Sequence, residues 1–461
     1  GTFGSIAAVP SVATPPVLES GANALCRIAP LLDGALPVQG PPGAGKTYAG
    51  SHAIIQLLRA GKTVGVTALS HRAITNLLDA VMQADDAGPT EKGAEDGDGQ
   101  TRLVRAIQKA DDDHASSHAR VTVVGSNGDV EAALADGSAN LVAGTAWLFA
   151  RENVHVDVLV IDEAGQFSLA NTVAAGAAAD SIIMLGDPRQ LAQPSKGIHP
   201  EGAGVSALEH VLGEHDTVPS DRGLFLDVTW RMHPAVCAPV SELSYDGLLH
   251  SRPGLERQTL GPSPGSPDSC PSGPIPEQRS LRQEARRDQG HAESTAYIDD
   301  RLTGAGVRWF PVDHTGCSVR SDAEIDVVAD VVARLTGRPW TDADGRTTPL
   351  GTDDILVVAP YNAQVSQLMI RIDGRARVGT VDKFQGQEAP VVIVSLTTSS
   401  AEDAPRGVDF VANRNRLNVA ISRARSLAIV VGSPALLTAP ATSVAQLQGI
   451  NTLCRLVEHA T

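Results

Sequence analysis

The segment that most restricts this chain is Gly40-Pro41-Pro42-Gly43-Ala44-Gly45-Lys46-Thr47, set between the strand-like run Ala35–Gln39 and the helix-like run Thr47–Leu58. Strand, glycine-rich turn and helix in that order make a G-x-x-x-x-G-K-[ST] loop. Such a loop turns its backbone N–H groups toward one point, where the amino end of the next helix adds partial positive charge. A triphosphate satisfies that point and the lysine together. Lys46 is expected to meet the β and γ phosphates, and the Thr47 hydroxyl to ligate Mg²⁺. Gly40, Pro41, Pro42, Gly43, Ala44, Gly45, Lys46 and Thr47 are thus the expected nucleotide cradle, with Tyr48 beside it.

This loop needs a carboxylate partner. Val158–Ile161 is an apolar strand-like run that ends in Asp162 and Glu163. Asp162 is placed to hold Mg²⁺, directly or through water, and Glu163 to polarise an attacking water. The two elements predict hydrolysis of a nucleoside triphosphate with Mg²⁺. They do not say what the hydrolysis drives.

Short apolar runs alternate with helical patterns over most of the 461 residues, which is the pattern of α/β units with parallel sheets. Thr63–Leu69, Leu141–Thr145, Val158–Ile161 and Ile182–Leu185 continue a first series. A second begins at Leu224–Thr229 and runs through Arg308–Val312, Ile355–Ala359, Val378–Val381, Val391–Leu396 and Leu427–Val431. Two α/β lobes follow, 1–222 and 223–461, with the boundary near Arg222. An acidic, glycine-rich stretch (about 84–120) and a Pro, Gly and Ser-rich one (about 251–306) read as insertions, the second flexible.

The apolar fraction of 42% and charged fraction of 20% are those of a soluble globular protein. No apolar run nears the roughly 20 residues that span a bilayer, so no membrane partner is expected. The five cysteines (Cys26, Cys237, Cys270, Cys317, Cys454) form no C-x-x-C pair. They read as free thiols of a cytoplasmic protein, without a zinc or iron–sulfur site. His199, His233 and His314 lack metal-ligand spacing and read as structural. The net charge of −16 argues against a chain that coats nucleic acid. It leaves room for a narrow groove lined by the arginines gathered after Arg371. The first methionine is Met82, so the chain is expected to be a piece of a longer protein with a domain upstream.

The ordered set GPPGAGKT, DEAGQ, GDPRQL, WRMHP, VAPYNAQ, VGTVDKFQGQE and LNVAISRAR resembles the superfamily 1B helicases. These include the RNA helicase of nonsense-mediated decay and the Dna-two-type nuclease-helicases. The pattern is most similar to a bacterial family of RecB-like nucleases with a C-terminal helicase half, and it runs from about Leu36 to about Arg455. The resemblance implies two RecA-like P-loop domains that hydrolyse ATP in the cleft between them and move toward the 3′ end of a single strand. DNA is implied over RNA, because an upstream nuclease domain accompanies that family.

Several roles rest on the resemblance. Gln190 senses the γ-phosphate, and Asp187 links that sensing to nucleic acid. Arg231 and Arg423 reach the γ-phosphate from the second lobe, where an arginine finger is worth about 10³–10⁵ in rate. Trp230 stands where an aromatic stacks on adenine, although a buried core tryptophan reads equally well. Gly386 and Glu388 approach the nucleotide, with Gln385 and Gln387 as relays. Ser70, Thr145, Tyr361, Asn362 and Thr380 stand where related proteins touch the single strand; each alone also reads as a cap or turn residue.

One departure concerns the base. Relatives carry an adenine-reading glutamine sixteen to twenty residues before the loop, and no glutamine lies between Gly1 and Val38. Nucleotides other than ATP are therefore expected to be tolerated. Two rival readings share part of the pattern. A nucleic-acid-stimulated ATPase that remodels complexes without unwinding shares all of it. An unrelated P-loop kinase or GTPase leaves the second lobe unexplained, and the GTPase lacks its N-K-x-D.

Overall fold

The computed structural model describes residues 21–88, 102–191, 204–262, 301–384 and 386–460. The chain divides into two compact units, Gly1–Thr229 and Trp230–Thr461. Both are α/β and RecA-like, each built on a parallel sheet.

Unit 1 runs α1 (Gly21–Ile28), β1 (Ala35–Gln39), α2 (Lys46–Arg59), β2 (Val64–Thr67), α3 (His71–Ala87), β3 (Ala106–Lys109), β4 (Val121–Val124), α4 (Asn127–Ala135), β5 (Leu141–Ala143), α5 (Ala146–Phe149), β6 (Val156–Ile161), α6 (Leu169–Gly176), β7 (Ala179–Gly186), α7 (Ala207–Leu212), β8 (Leu224–Phe225) and β9 (Val228–Thr229). Eight strands form one parallel sheet in the order β4-β3-β5-β2-β6-β7-β1-β8. Strand side chains alternate between faces, so a doubly covered sheet needs apolar residues at successive positions. β6 meets that need. Val158 and Val160 enter the core shared with α2 and α3, while Leu159 and Ile161 enter the opposite one with Phe149 and Phe167. Ser70, Ser126, Ser168 and Ser206 start α3, α4, α6 and α7 by accepting backbone N–H bonds.

Unit 2 runs α8 (Pro234–Ser244), β10 (His250–Ser251), β11 (Thr259–Leu260), β12 (Gly306–Pro311), α9 (Asp322–Leu335), β13 (Pro339–Thr341), β14 (Thr347–Pro349), β15 (Ile355–Val358), α10 (Asn362–Ile372), β16 (Arg377–Gly379), β17 (Ala389–Ser395), α11 (Val408–Val411), α12 (Arg414–Ile421), β18 (Ala424–Gly432) and α13 (Val444–Glu458). Its parallel sheet has the order β12-β18-β17-β15-β16, and β11-β13-β14 make a small antiparallel sheet. No helix among the described residues is long and apolar enough to cross a membrane.

The structure corrects four readings. Leu224–Thr229 does not open the second lobe: Leu224 and Phe225 pair with Val38 and Gln39 of β1, and the division falls after Thr229 rather than at Arg222. A two-residue apolar run has no period to reveal which sheet it joins. The stretch about 84–120 is no simple insertion, because α3 continues to Ala87 and Ala106–Lys109 is a sheet strand; residues 89–101 lie outside the described residues. The ends of the stretch about 251–306 are likewise structured, with β10, β11 and the start of β12; residues 263–300, including Cys270, lie outside. Finally, α12 ends at Ile421, so Arg423 stands past the helix, at the entrance to β18.

Candidate functional site

In unit 1 the carboxyl ends of β1, β7 and β6 are neighbours in the sheet, and each carries one part of the expected nucleotide site. The loop after β1 is tied down where Gly40 N–H donates to Gly186 O at 2.8 Å and Thr229 Oγ1 to Pro42 O at 3.1 Å. Gly43 and Gly45 have φ of 73° and 75°, left-handed values that L side chains resist, which is why glycine stands there. Gly45 caps α2 and Lys46 opens it, so the helix's amino end faces the loop. Lys46 Nζ lies across the loop, donating to Gly40 O at 2.5 Å and Pro41 O at 3.4 Å. Thr47 and Tyr48 are exposed; the Tyr48 ring lies 4.0 Å from that of His52.

Asp162 follows β6. Its N–H donates to Thr67 O at 2.8 Å, and its Oδ1 accepts from Glu163 N–H at 2.8 Å. Burial pushes its pKa up to about 6, and the Glu163 charge adds to the rise; the Glu163 N–H bond and the Lys46 charge oppose it. Glu163 has φ 51°, a strained conformation for a residue with a Cβ and one that recurs at functional sites. The buried Thr67 hydroxyl beside them makes no hydrogen bond among the described residues. A desolvated carboxylate, an exposed threonine hydroxyl at a helix start and an unpaired buried hydroxyl suit a hard cation such as Mg²⁺. Asp162 and Thr47 fit the expected metal role.

After β7, Asp187 is buried and accepts from Arg189 N–H at 3.1 Å and from Gln190 Nε2 at 2.9 Å. The Gln190 amide is thereby oriented by the residue expected to work with it. Arg189 is held by His215 O at 2.7 Å and pairs with Asp216 at 2.9 Å.

The next strand ends in sheet order are those of β2 and β5. Ser70 caps α3 through Ala73 N–H at 3.1 Å. Thr145 stands before α5 with no side-chain cap bond.

In unit 2 the expected residues fall on two edges of the sheet. Arg231, Arg423, Gly386 and Glu388 gather at the amino ends of β17 and β18. Arg231 Nε donates to Glu388 Oε2 at 2.5 Å and its Nη1 to Ser422 O at 3.0 Å. Arg423 is buried; its Nη1 donates to Gln387 O at 3.3 Å and its carbonyl accepts Ala389 N–H at 3.0 Å. Glu388 also accepts from Arg425 through Nε at 2.8 Å and Nη2. Burial alone would raise the Glu388 pKa; the two guanidinium groups hold it below its ordinary value. Glu388 is therefore a bridge between arginines as well as a candidate nucleotide contact. Gln385 lies outside the described residues, as does His199.

Arg425 was missed as a site residue. Its signal was present: Arg423 and Arg425 stand two apart on entering a strand, a spacing that puts both on one side. Trp230 is no core residue. It is 59% exposed, with the Arg252 guanidinium 4.7 Å above its ring.

Tyr361, Asn362 and Thr380 lie at the opposite edge, past the carboxyl ends of β15 and β16. Asn362 is exposed and Thr380 half-buried. Tyr361 is buried, its ring 5.6 Å from that of Phe410, and its hydroxyl is unpaired among the described residues. Its ring thus packs inside unit 2, against Phe410. His233 caps α8, and His314 is held between Ser399 and Glu324, both as structural residues.

Residues 203–435, just over half the chain, match the AAA_12 family model, described as an AAA domain. The chain belongs to this AAA-domain family. The match covers most of unit 2, while the phosphate loop precedes it and stands on its own geometry. The AAA-domain chain is similar to "Putative helicase mov-10-B.1" of Danio rerio, 26% identical over 314 residues, which are 61% of this chain and 28% of that protein. It is also similar to "DNA-binding protein SMUBP-2" of Mesocricetus auratus, 27% identical over 60% of this chain and 25% of that one. The chain thus spans about a quarter of the length of these relatives. Among solved structures, the helicase nonstructural protein 10 of an arterivirus superposes with a TM-score of 0.42 at 15% identity, covering 89% of this chain and 62% of that one.

Proposed function

We propose that this chain is an ATP-driven helicase or translocase of the superfamily 1B type, acting on single-stranded nucleic acid, DNA in preference to RNA, and moving toward the 3′ end. The observation that carries the reading is the sheet order of unit 1. Three adjoining strand ends hold the phosphate loop, the Asp162–Glu163 pair and Gln190, and the next two hold Ser70 and Thr145. A change at the γ-phosphate has only one strand to cross to reach a strand-gripping loop.

In this mechanism Lys46 and the loop N–H groups bind and orient the triphosphate. Thr47 and Asp162 would hold Mg²⁺, which would supply positive charge to offset that of the phosphates. Glu163 orients and accepts a proton from the attacking water. Gln190 reports the γ-phosphate through Asp187. Arg231 and Arg423 supply the transition-state cations, and Glu388, Ser422 and Gln387 hold their guanidinium groups within unit 2. The relatives' names include both a DNA-binding protein and "Probable RNA helicase armi" of Drosophila melanogaster, so preference for DNA rests on the likeness to nuclease-helicase fusions.

ATP hydrolysis measured with and without single-stranded DNA and RNA, across a salt series, tests the reading. Stimulation by DNA above RNA supports it. A rate indifferent to both overturns it. Displacement from 5′-tailed but not 3′-tailed duplexes supports the polarity, and stimulation without displacement from either returns the chain to the remodelling class.

A further inference from the structure

Trp147 is 85% exposed, the most exposed large apolar side chain among the described residues. Tryptophan is usually well buried, so an indole in water needs a reason. Its position is fixed. Gly144 N–H donates to Val66 O at 3.1 Å, tying the end of β5 to β2, and Leu148 N–H donates to Thr145 O at 2.9 Å. A Cβ on Gly144 would come 2.6 Å from Leu148 Cδ2, so the first turn of α5 packs directly over the strand end. Leu148 and Phe149 are buried in that turn, and the side chain before them is thereby sent outward.

The neighbouring strand end adds a second observation. Arg72, in the first turn of α3 just past β2, is exposed and makes no hydrogen bond or ion pair among the described residues. A cation there opposes the helix dipole, so it does not serve the helix. A rigid, solvated aromatic beside a strand end that carries an unpaired guanidinium is the chemistry of a single-strand site: bases stack on the ring and phosphates meet the cation.

We propose that Trp147 stacks on a base of the bound single strand and that Arg72 meets a phosphate of the same strand, making the ends of β2 and β5 a stacking subsite of unit 1. This rests on the single-strand reading above. Stacking tolerates any base, so the subsite grips without reading sequence.

The test measures binding of a fluorescein-labelled dT oligonucleotide and of a matched abasic oligonucleotide to the parent, Trp147→Ala, Trp147→Phe and Arg72→Ala chains. Trp147→Ala is expected to weaken binding to dT by about 5- to 150-fold. Trp147→Phe should restore most of the loss, and the abasic strand should bind the parent and Trp147→Ala alike. Arg72→Ala should lower the slope of log affinity against log salt by about 0.7. If the parent binds dT and Trp147→Ala binds it equally well, the subsite falls while the functional reading stands. Equal weakening toward dT and abasic strands also overturns stacking. A parent that binds no single strand removes both. The exposed position of Trp147 leaves the core intact in every variant.

Discussion

Asp162→Asn should stabilise the ligand-free protein while removing the carboxylate proposed to hold Mg²⁺. The carboxylate is buried, and its pKa is pushed up from 3.8 to about 6. For an acid, a raised folded-state pKa means that the folded protein holds the proton more tightly than the unfolded chain does. The penalty for keeping Asp162 charged is then nil well below 3.8, grows between 3.8 and about 6, and is complete above that. The full shift corresponds to about 3 kcal/mol at pH 7.5, falling to roughly half of that at pH 5 and to a small remainder at pH 4. Asparagine is nearly isosteric, keeps an oxygen for Glu163 N–H, and never carries the charge. A domain of this size converts 1 kcal/mol into about 2–4 °C, so the melting transition of unit 1 should rise by about 6–12 °C at pH 7.5. Calorimetry of parent and Asp162→Asn without nucleotide or Mg²⁺, at several pH values, reads both the rise and its decay toward acid. A variant no more stable than the parent at pH 7.5, or an advantage that grows on acidification, would refute the reasoning.

Further expectations follow from the same contacts. Because protons compete with Mg²⁺ for Asp162, Mg²⁺-dependent binding of a fluorescent ATP analogue should weaken about tenfold between pH 7.5 and pH 5. Glu163→Gln should lower hydrolysis by about 10²–10⁴ while retaining nucleotide, and should move that pH midpoint toward acid by removing a like charge. Gly40→Ala places a Cβ 2.2 Å from Lys46 Cγ; shifting the ammonium by about 1 Å should cost on the order of 10²-fold in turnover, with circular dichroism unchanged. Glu388→Ala strips Arg231, whose side chain is 11% exposed, of its carboxylate. About 1.5–3 kcal/mol of unit 2 stability should be lost in urea titration. The pair with Arg425, whose side chain is 37% exposed, adds little to that figure.

Elements with a period were legible from sequence. β1 and β6 announced themselves as apolar runs that end in polar motifs, the P-loop and the two acids, and β17 and β18 as apolar runs that follow polar motifs. What escaped notice had no local signal. Leu224–Phe225 is too short to show which sheet it joins, and Ala106–Lys109 sits behind an acidic, glycine-rich stretch whose composition masks a four-residue strand. Burial is set by tertiary packing, so Tyr361 passed for a surface residue until Phe410 was seen against it, and Trp230 passed equally for core. The bridge at Glu388 joins residues 231, 388 and 425, a separation that no motif spacing encodes.

The most direct measurement compares DNA-stimulated ATP hydrolysis by the parent, Lys46→Ala and Arg423→Ala chains. If Lys46 and Arg423 both serve the hydrolysis of ATP, as proposed, both substitutions should reduce turnover by about 10³-fold or more. Turnover near the parent's in Arg423→Ala, with Lys46→Ala silent, would contradict the role proposed for Arg423 and with it the motor.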